Sequence, residues 1–164
     1  MFHNLIPRSL AAGLAVLVLS LLLTPAQAAA DTDFGVRGGL YTDSSSGFVG
    51  VELLTGITDR WFFNPNAEYV FVDDGDLATI NLDAHYDLPL RAAADVWLGG
   101  GLAVVFSDLD RPGRRDDDSE TDIGVNLLAG IGFLRREAVR PYVQGKILIA
   151  DETEAVIAVG VRFF

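Results

Sequence analysis

Four sets of side chains in this 164-residue sequence are of types that do chemistry. The largest is a group of ionisable residues of both signs: Arg37, Glu52, Glu68, Asp83, His85, Arg140, Lys146 and Arg162. Brought into one low-dielectric space they would pair, because an unpaired buried charge costs several kcal/mol, on the order of 3–5; loosely paired, they could line an ion path. The second set is His85 with Ser44, Ser45, Ser46, Ser107 and Ser119, since a histidine activates a serine hydroxyl from ~3 Å away. The third is the run Asp116-Asp117-Asp118 with Glu120 and Asp122, whose carboxylate oxygens could hold a divalent cation. It lacks the spacing and glycine of an EF-hand loop, so a solvated charge run is the plainer reading. The fourth, Gly99-Gly100-Gly101, lacks the strand–turn–helix context of a phosphate loop and reads as relief of crowding or a bend in a strand.

Which of these sets meets depends on the elements that carry them. Residues 1–28 read as a cleaved secretory signal: Arg8 near the start, an apolar stretch from Leu10 to Leu23, and the small-x-small sequence Ala26-Gln27-Ala28. Cleavage is expected after Ala28, with Ala30 the second choice. No cysteine follows the apolar stretch, which excludes a lipidated N-terminus. The signal holds one arginine and no acid, so the mature chain is one unit more negative than the −11 of the full sequence. That argues against a nucleic-acid partner, which needs a basic surface. After the signal no apolar stretch is long enough for a membrane-spanning helix, so any insertion must be by β-barrel.

Residues 29–164 divide into eight segments of period-two patterning, at 33–41, 47–56, 61–72, 76–87, 93–107, 121–133, 139–150 and 153–164. Turn-rich stretches separate them, the longest being Ser107–Asp122. One face is apolar in every segment, from Phe34 and Val36 through Trp61, Phe63, Leu98 and Leu102 to Ile157, Val159, Val161 and Phe163. The other carries the eight ionisable residues with Asn64, Asn66, Asn81, Asn126 and Gln144, interleaved with Gly35, Gly39, Gly50, Gly99, Gly101 and Gly130.

Two barrels fit this pattern, one the inverse of the other. In a membrane barrel the apolar face meets lipid and the polar face fills the lumen. In a soluble, lipocalin-like barrel the apolar face lines a cavity for an apolar ligand. The membrane form is favoured. Glycines crowd the polar face, where an eight-stranded lumen has little room, its charges balance in sign, and the aromatics of the apolar face gather near segment ends as interfacial girdles do.

The export signal, the eight segments, the Thr58-Asp59-Arg60-Trp61 turn leading into Asn66-Ala67-Glu68-Tyr69, and the terminal Phe163-Phe164 together resemble the small eight-stranded outer-membrane barrels, the group containing OmpX and the OmpA barrel domain. The resemblance covers the whole mature chain as a pattern and has no single decisive motif. It implies an all-β, eight-stranded antiparallel up-and-down barrel in the bacterial outer membrane, inserted by machinery that reads the last strand. One departure stands out: alternation turns Phe163 outward and leaves Phe164 one step beyond it.

The resemblance also implies that both termini are periplasmic. The four connections that then face outside hold Asp43; Asp73, Asp74 and Asp76; the acidic third loop with Arg111, Arg114 and Arg115; and Asp151 with Glu152. The periplasmic turns carry Arg60, Arg91, Arg135 and Arg136. His85 then lies near the periplasmic end and the serines near the external one, separated by roughly 25 Å. No serine–histidine site is expected, and His85 should sit in the lumen near Asp83 or a neighbouring strand. The sequence therefore points to a non-enzymatic barrel without cofactor, structural or surface-interacting, with a polar filled lumen and at most a narrow porin-like path. Its partners are outer-membrane lipid, the insertion machinery and, at the acidic rim, divalent cations.

Overall fold

The computed structural model describes residues 32–72, 76–90, 94–108, 120–134 and 137–163. The export segment, Arg91, Arg111, Arg114, Arg115, Asp116, Asp117, Asp118, Ser119, Arg135, Arg136 and Phe164 lie outside the described residues. Eight strands form: β1 (Thr32–Tyr41), β2 (Ser46–Gly56), β3 (Trp61–Val70), β4 (Asp76–Asp87), β5 (Asp95–Asp108), β6 (Glu120–Gly132), β7 (Val139–Ile149) and β8 (Thr153–Phe163). Each pairs antiparallel with its neighbour in sequence, and β8 returns to β1, with Phe34 opposite Phe163 and Tyr41 opposite Val156, to close the barrel. Closure leaves no sheet edge, the condition for β-structure in lipid.

The ladders agree with the expected segments to within two residues at each end. The largest difference at a single strand end is at β3, where alternation continues through Phe71 and Val72 but the ladder stops at Val70. Its partner β2 begins at Ser46, so only Phe71 N finds a further carbonyl, that of Gly47 at 2.7 Å. Pairing, not hydrophobic period, sets the boundary.

Side chains alternate across the wall as the pleat requires. Phe34, Val36, Leu40, Val49, Leu102 and Ile157 are exposed, whereas Arg37, Glu52, Glu68, Asn81, Asp83, Asn126 and Lys146 are buried. The apolar face is therefore the outer one. This excludes the inverse, ligand-binding barrel, whose cavity would be lined by those aliphatic residues. Among the described residues no helix is long and apolar enough to cross a membrane.

The interior is not uniformly polar, which corrects the expectation of large polar side chains separated only by small ones. Tyr41, Phe48, Val70, Ala103, Leu148, Val156 and Ala158 form a buried apolar layer at the end away from the chain termini, joined by Val72, Leu77 and Val105. Trp97, Leu128 and Tyr142 form a second layer toward the terminal end. Inward glycines make these layers fit. Phe48 pairs across the ladder with Gly39, Trp97 with Gly130, and Tyr142 with Gly160. A Cβ on Gly160 would stand 2.5 Å from the Tyr142 ring, and one on Gly39 2.8 Å from Phe48 Cε1. Each ring lies over the glycine opposite it.

Candidate functional site: the charged lumen

Between the two apolar layers lies a connected polar network. Glu52, on β2, accepts from Arg162 Nε at 2.7 Å and from Asn64 Nδ2 at 3.2 Å. Glu68, on β3, accepts from Lys146 Nζ at 2.9 and 3.1 Å, from the Tyr41 hydroxyl at 2.6 Å and from Thr79 Oγ1 at 3.3 Å. Arg37, on β1, stands between the two acids, with Nη1 3.6 Å from Glu52 and Nη2 3.1 Å from Glu68. The strands position these groups by parity and register. Arg37 is opposite Gly50 on one side and Gly160 on the other, so its long side chain crosses open lumen.

The third carboxylate, Asp83, meets amides. Its Oδ1 accepts from Asn126 Nδ2 at 2.8 Å and its Oδ2 from Asn66 Nδ2 at 2.9 Å. Asn126 Nδ2 also reaches Asn81 Oδ1 at 2.8 Å, and Asn81 Nδ2 donates to Asn66 Oδ1 and Thr79 Oγ1, each at 3.0 Å. Thr79 returns the chain to Glu68. Among the described residues the network therefore joins three cations (Arg37, Lys146, Arg162) and three carboxylates (Glu52, Glu68, Asp83). It is electrically neutral, as a buried assembly must be to avoid the cost of an uncompensated charge.

Each cation also meets a ring. Arg162 Cζ lies 4.2 Å from the Tyr142 centroid and 5.1 Å from that of Trp97; Lys146 Nζ is 5.8 Å from Tyr41 and Arg37 Cζ 5.9 Å from Phe48. These distances are within the reach of cation–π attraction. The inward aromatics were missed in the sequence, although the signal was there. Tyr41 shares the strand parity of Arg37, Phe48 that of Glu52, and Tyr142 that of Lys146.

All eight ionisable residues singled out in the sequence face the interior, but two stand apart from the network. His85 is not bonded near Asp83. It is stacked between Phe62 and Trp97, with ring centroids 5.4 and 5.3 Å away, and its Nε2 lies 3.5 Å from Asp87 Oδ1. The Asp83 carboxylate points to β3 and β6, where asparagines hold it, and the gap left by Gly99 and Gly101 opposite β4 lets the rings stack instead. Arg140 pairs with Asp33 at the terminal end, a partner not identified from the sequence. Ser46 stands opposite Tyr41 and Ser107 opposite Leu77, both at the end of the barrel away from His85. The Gly99–Gly101 run lies in strand β5, where a Cβ on Gly99 would meet His85 Cβ at 2.7 Å; it accommodates the lumen and forms no loop. Glu120 opens β6, and the rest of the proposed cation ligands lie outside the described residues.

A closed antiparallel barrel with an aliphatic exterior and a neutral, hydrogen-bonded interior is a membrane-spanning β-barrel. No family model and no curated protein matches the chain. Solved structures do. The N-terminal β-barrel domain of Pseudomonas aeruginosa OprF is similar with a TM-score of 0.67 and 16% identity, over 80% of this chain and 95% of that one. Neisserial surface protein A is similar with a TM-score of 0.60 and 16% identity, over 80% and 93%. Ail of Yersinia pestis, solved with the heparin analogue sucrose octasulfate, is similar with a TM-score of 0.57 and 9% identity, over 81% and 98%. The fold is that of the small eight-stranded outer-membrane barrels.

Proposed function

We propose that this chain is a non-enzymatic outer-membrane barrel of structural or surface-interacting role, whose lumen is a polar plug. The observation that carries this reading is the neutral network held between two buried apolar layers. Water and ions would have to displace packed rings and aliphatic groups at both ends to pass, and protein interiors are packed too densely to yield easily. The separation of His85 from Ser46 and Ser107 supports the absence of a hydrolytic site. Residues 1–28 act as the export signal, and Phe163-Phe164 is read by the insertion machinery. The termini lie in the periplasm, so that the exposed Asp43, Asp151 and Glu152 belong to an acidic external rim. Divalent cations held there, with Asp116, Asp117, Asp118 and Glu120, bridge the rim to lipid phosphates.

A second reading, a narrow porin-like ion path, has one observation in its favour. Arg37 lies close to two carboxylates that each already have a cation of their own, and its N–H groups are not aligned with any oxygen among the described residues. Planar-bilayer recording separates the two readings. A plug gives a silent wild-type barrel. A path gives openings whose conductance changes in Glu68→Gln and Arg162→Gln, and silence in the wild type and both variants would eliminate it.

A further inference from the structure

On the outside of the barrel, one exposed cation is tethered to the aromatic girdle. Arg60 ends the turn between β2 and β3. Thr58 fixes that turn, its hydroxyl oxygen accepting from Trp61 N at 3.1 Å and from Arg60 N at 3.4 Å, while Ile57 N donates to Trp61 O at 2.8 Å. Arg60 Nη1 donates to the Tyr86 hydroxyl at 3.3 Å, and Asp87 N donates to the Arg60 carbonyl at 2.9 Å. Tyr86 is the ladder partner of Trp61, and their rings stand 5.3 Å apart at 57°. A cation, an exposed indole and a phenol are thus held side by side at one end of the wall. Phe63, Leu82 and Leu98, all exposed, continue from them toward the middle of the barrel.

Trp and Tyr settle at the headgroup level of a bilayer, which puts the guanidinium at the depth of the lipid phosphates. A guanidinium presents five N–H donors in a planar fork that matches phosphate oxygens. Arg60 is exposed and spends one of them on Tyr86 among the described bonds. The apolar wall beneath gives the acyl chains of the same molecule a surface, which a free anion could not use. We propose that Arg60, Trp61 and Tyr86 form a docking site for the phosphodiester of an anionic glycerophospholipid of the periplasmic leaflet. This rests on the membrane orientation given above.

Trp61 itself reports the test. The sequence has two tryptophans, and Trp97 is 2% exposed inside the lumen, so a lipid-borne quencher reads Trp61. The full-length barrel is refolded into phosphatidylcholine vesicles containing a minor fraction of phosphatidylglycerol brominated near the top of its chains. The expected result is quenching that corresponds to about fivefold enrichment of the anionic lipid beside Trp61. Arg60→Gln should reduce it to the bulk mole fraction, and Tyr86→Phe to an intermediate value. Equal quenching in the wild type and Arg60→Gln, or equal enrichment of brominated phosphatidylcholine, would overturn the site. Loss of the enrichment on adding inorganic phosphate would overturn lipid docking in favour of a free-anion site. Each barrel is run in parallel on an unboiled gel. If the wild type fails to show a folded, heat-modifiable band, it is the membrane reading that falls; if Arg60→Gln keeps the band and loses the enrichment, the docking site stands.

Discussion

Glu68 concentrates the energetics of the lumen in one side chain. It is 2% exposed and takes Lys146, Tyr41, Thr79 and Arg37 at once. Removing its charge leaves Lys146 without a carboxylate and Arg37 with half its partners. Glu68→Ala is therefore expected to destabilise the barrel by about 3–5 kcal/mol, read as a lower urea midpoint in detergent micelles, because the cost is that of orphaned charge. Glu68→Leu combined with Lys146→Leu should cost clearly less than Glu68→Ala alone, since it removes a whole pair; a double variant as unstable as the single one would contradict this account. The ring–glycine pairs are a second residue-scale device. Gly160→Val drives a side chain into Tyr142, which holds Arg162, and should cost about 1–3 kcal/mol by overpacking. The same change at Gly145, where an added Cβ meets nothing within 4 Å, should leave the midpoint nearly unchanged. At this scale the sequence yields the charges and the glycines but not their matching, because the partner of each is chosen by the register of a different strand.

At the scale of elements, the seam between β2 and β3 has a gap with a local repair. The ladder runs from Phe48–Val70 to Glu52–Asn66 and resumes at Thr55–Phe63, skipping Leu53 and Leu54. Pro65 falls opposite Leu53 and has no N–H to donate. Asn64 fills in: its Nδ2 donates to the Leu53 carbonyl at 2.6 Å while also reaching Glu52. Asn64→Leu should leave that carbonyl unsatisfied, at a cost of about 1–3 kcal/mol, and should speed amide exchange along β2 and β3 more than along β5 and β6. Uniform exchange across all strands would show that the side chain is not a part of the seam. The eight strands themselves are legible in the sequence almost to the residue, since period-two alternation bounded by turn residues is a local property. The repair is not, since Leu53 and Pro65 become opposite only after the hairpin closes.

For the molecule as a whole, the closed ladder and aliphatic exterior imply a barrel that ordinary detergent contact does not open. The detergent-extracted protein should migrate differently on gels before and after boiling, and a soluble extract with no shift would contradict an outward apolar face. Replacing Leu148 and Val156 together by serine should loosen the apolar layer at the loop end; bilayer openings in that variant, with a silent wild type, would locate the barrier there. What the sequence alone determines is everything that follows from alternation and sign: eight strands, closure in sequential order, one lipid-compatible face and an inner face whose charges balance. What only the tertiary structure decides is which partners those inner groups take. Arg37 between two acids, Asp83 among asparagines, His85 between rings and Arg140 on Asp33 are contacts across the lumen or between neighbouring strands. They depend on strand register and on the space that opposing glycines leave, and neither is encoded in any single segment.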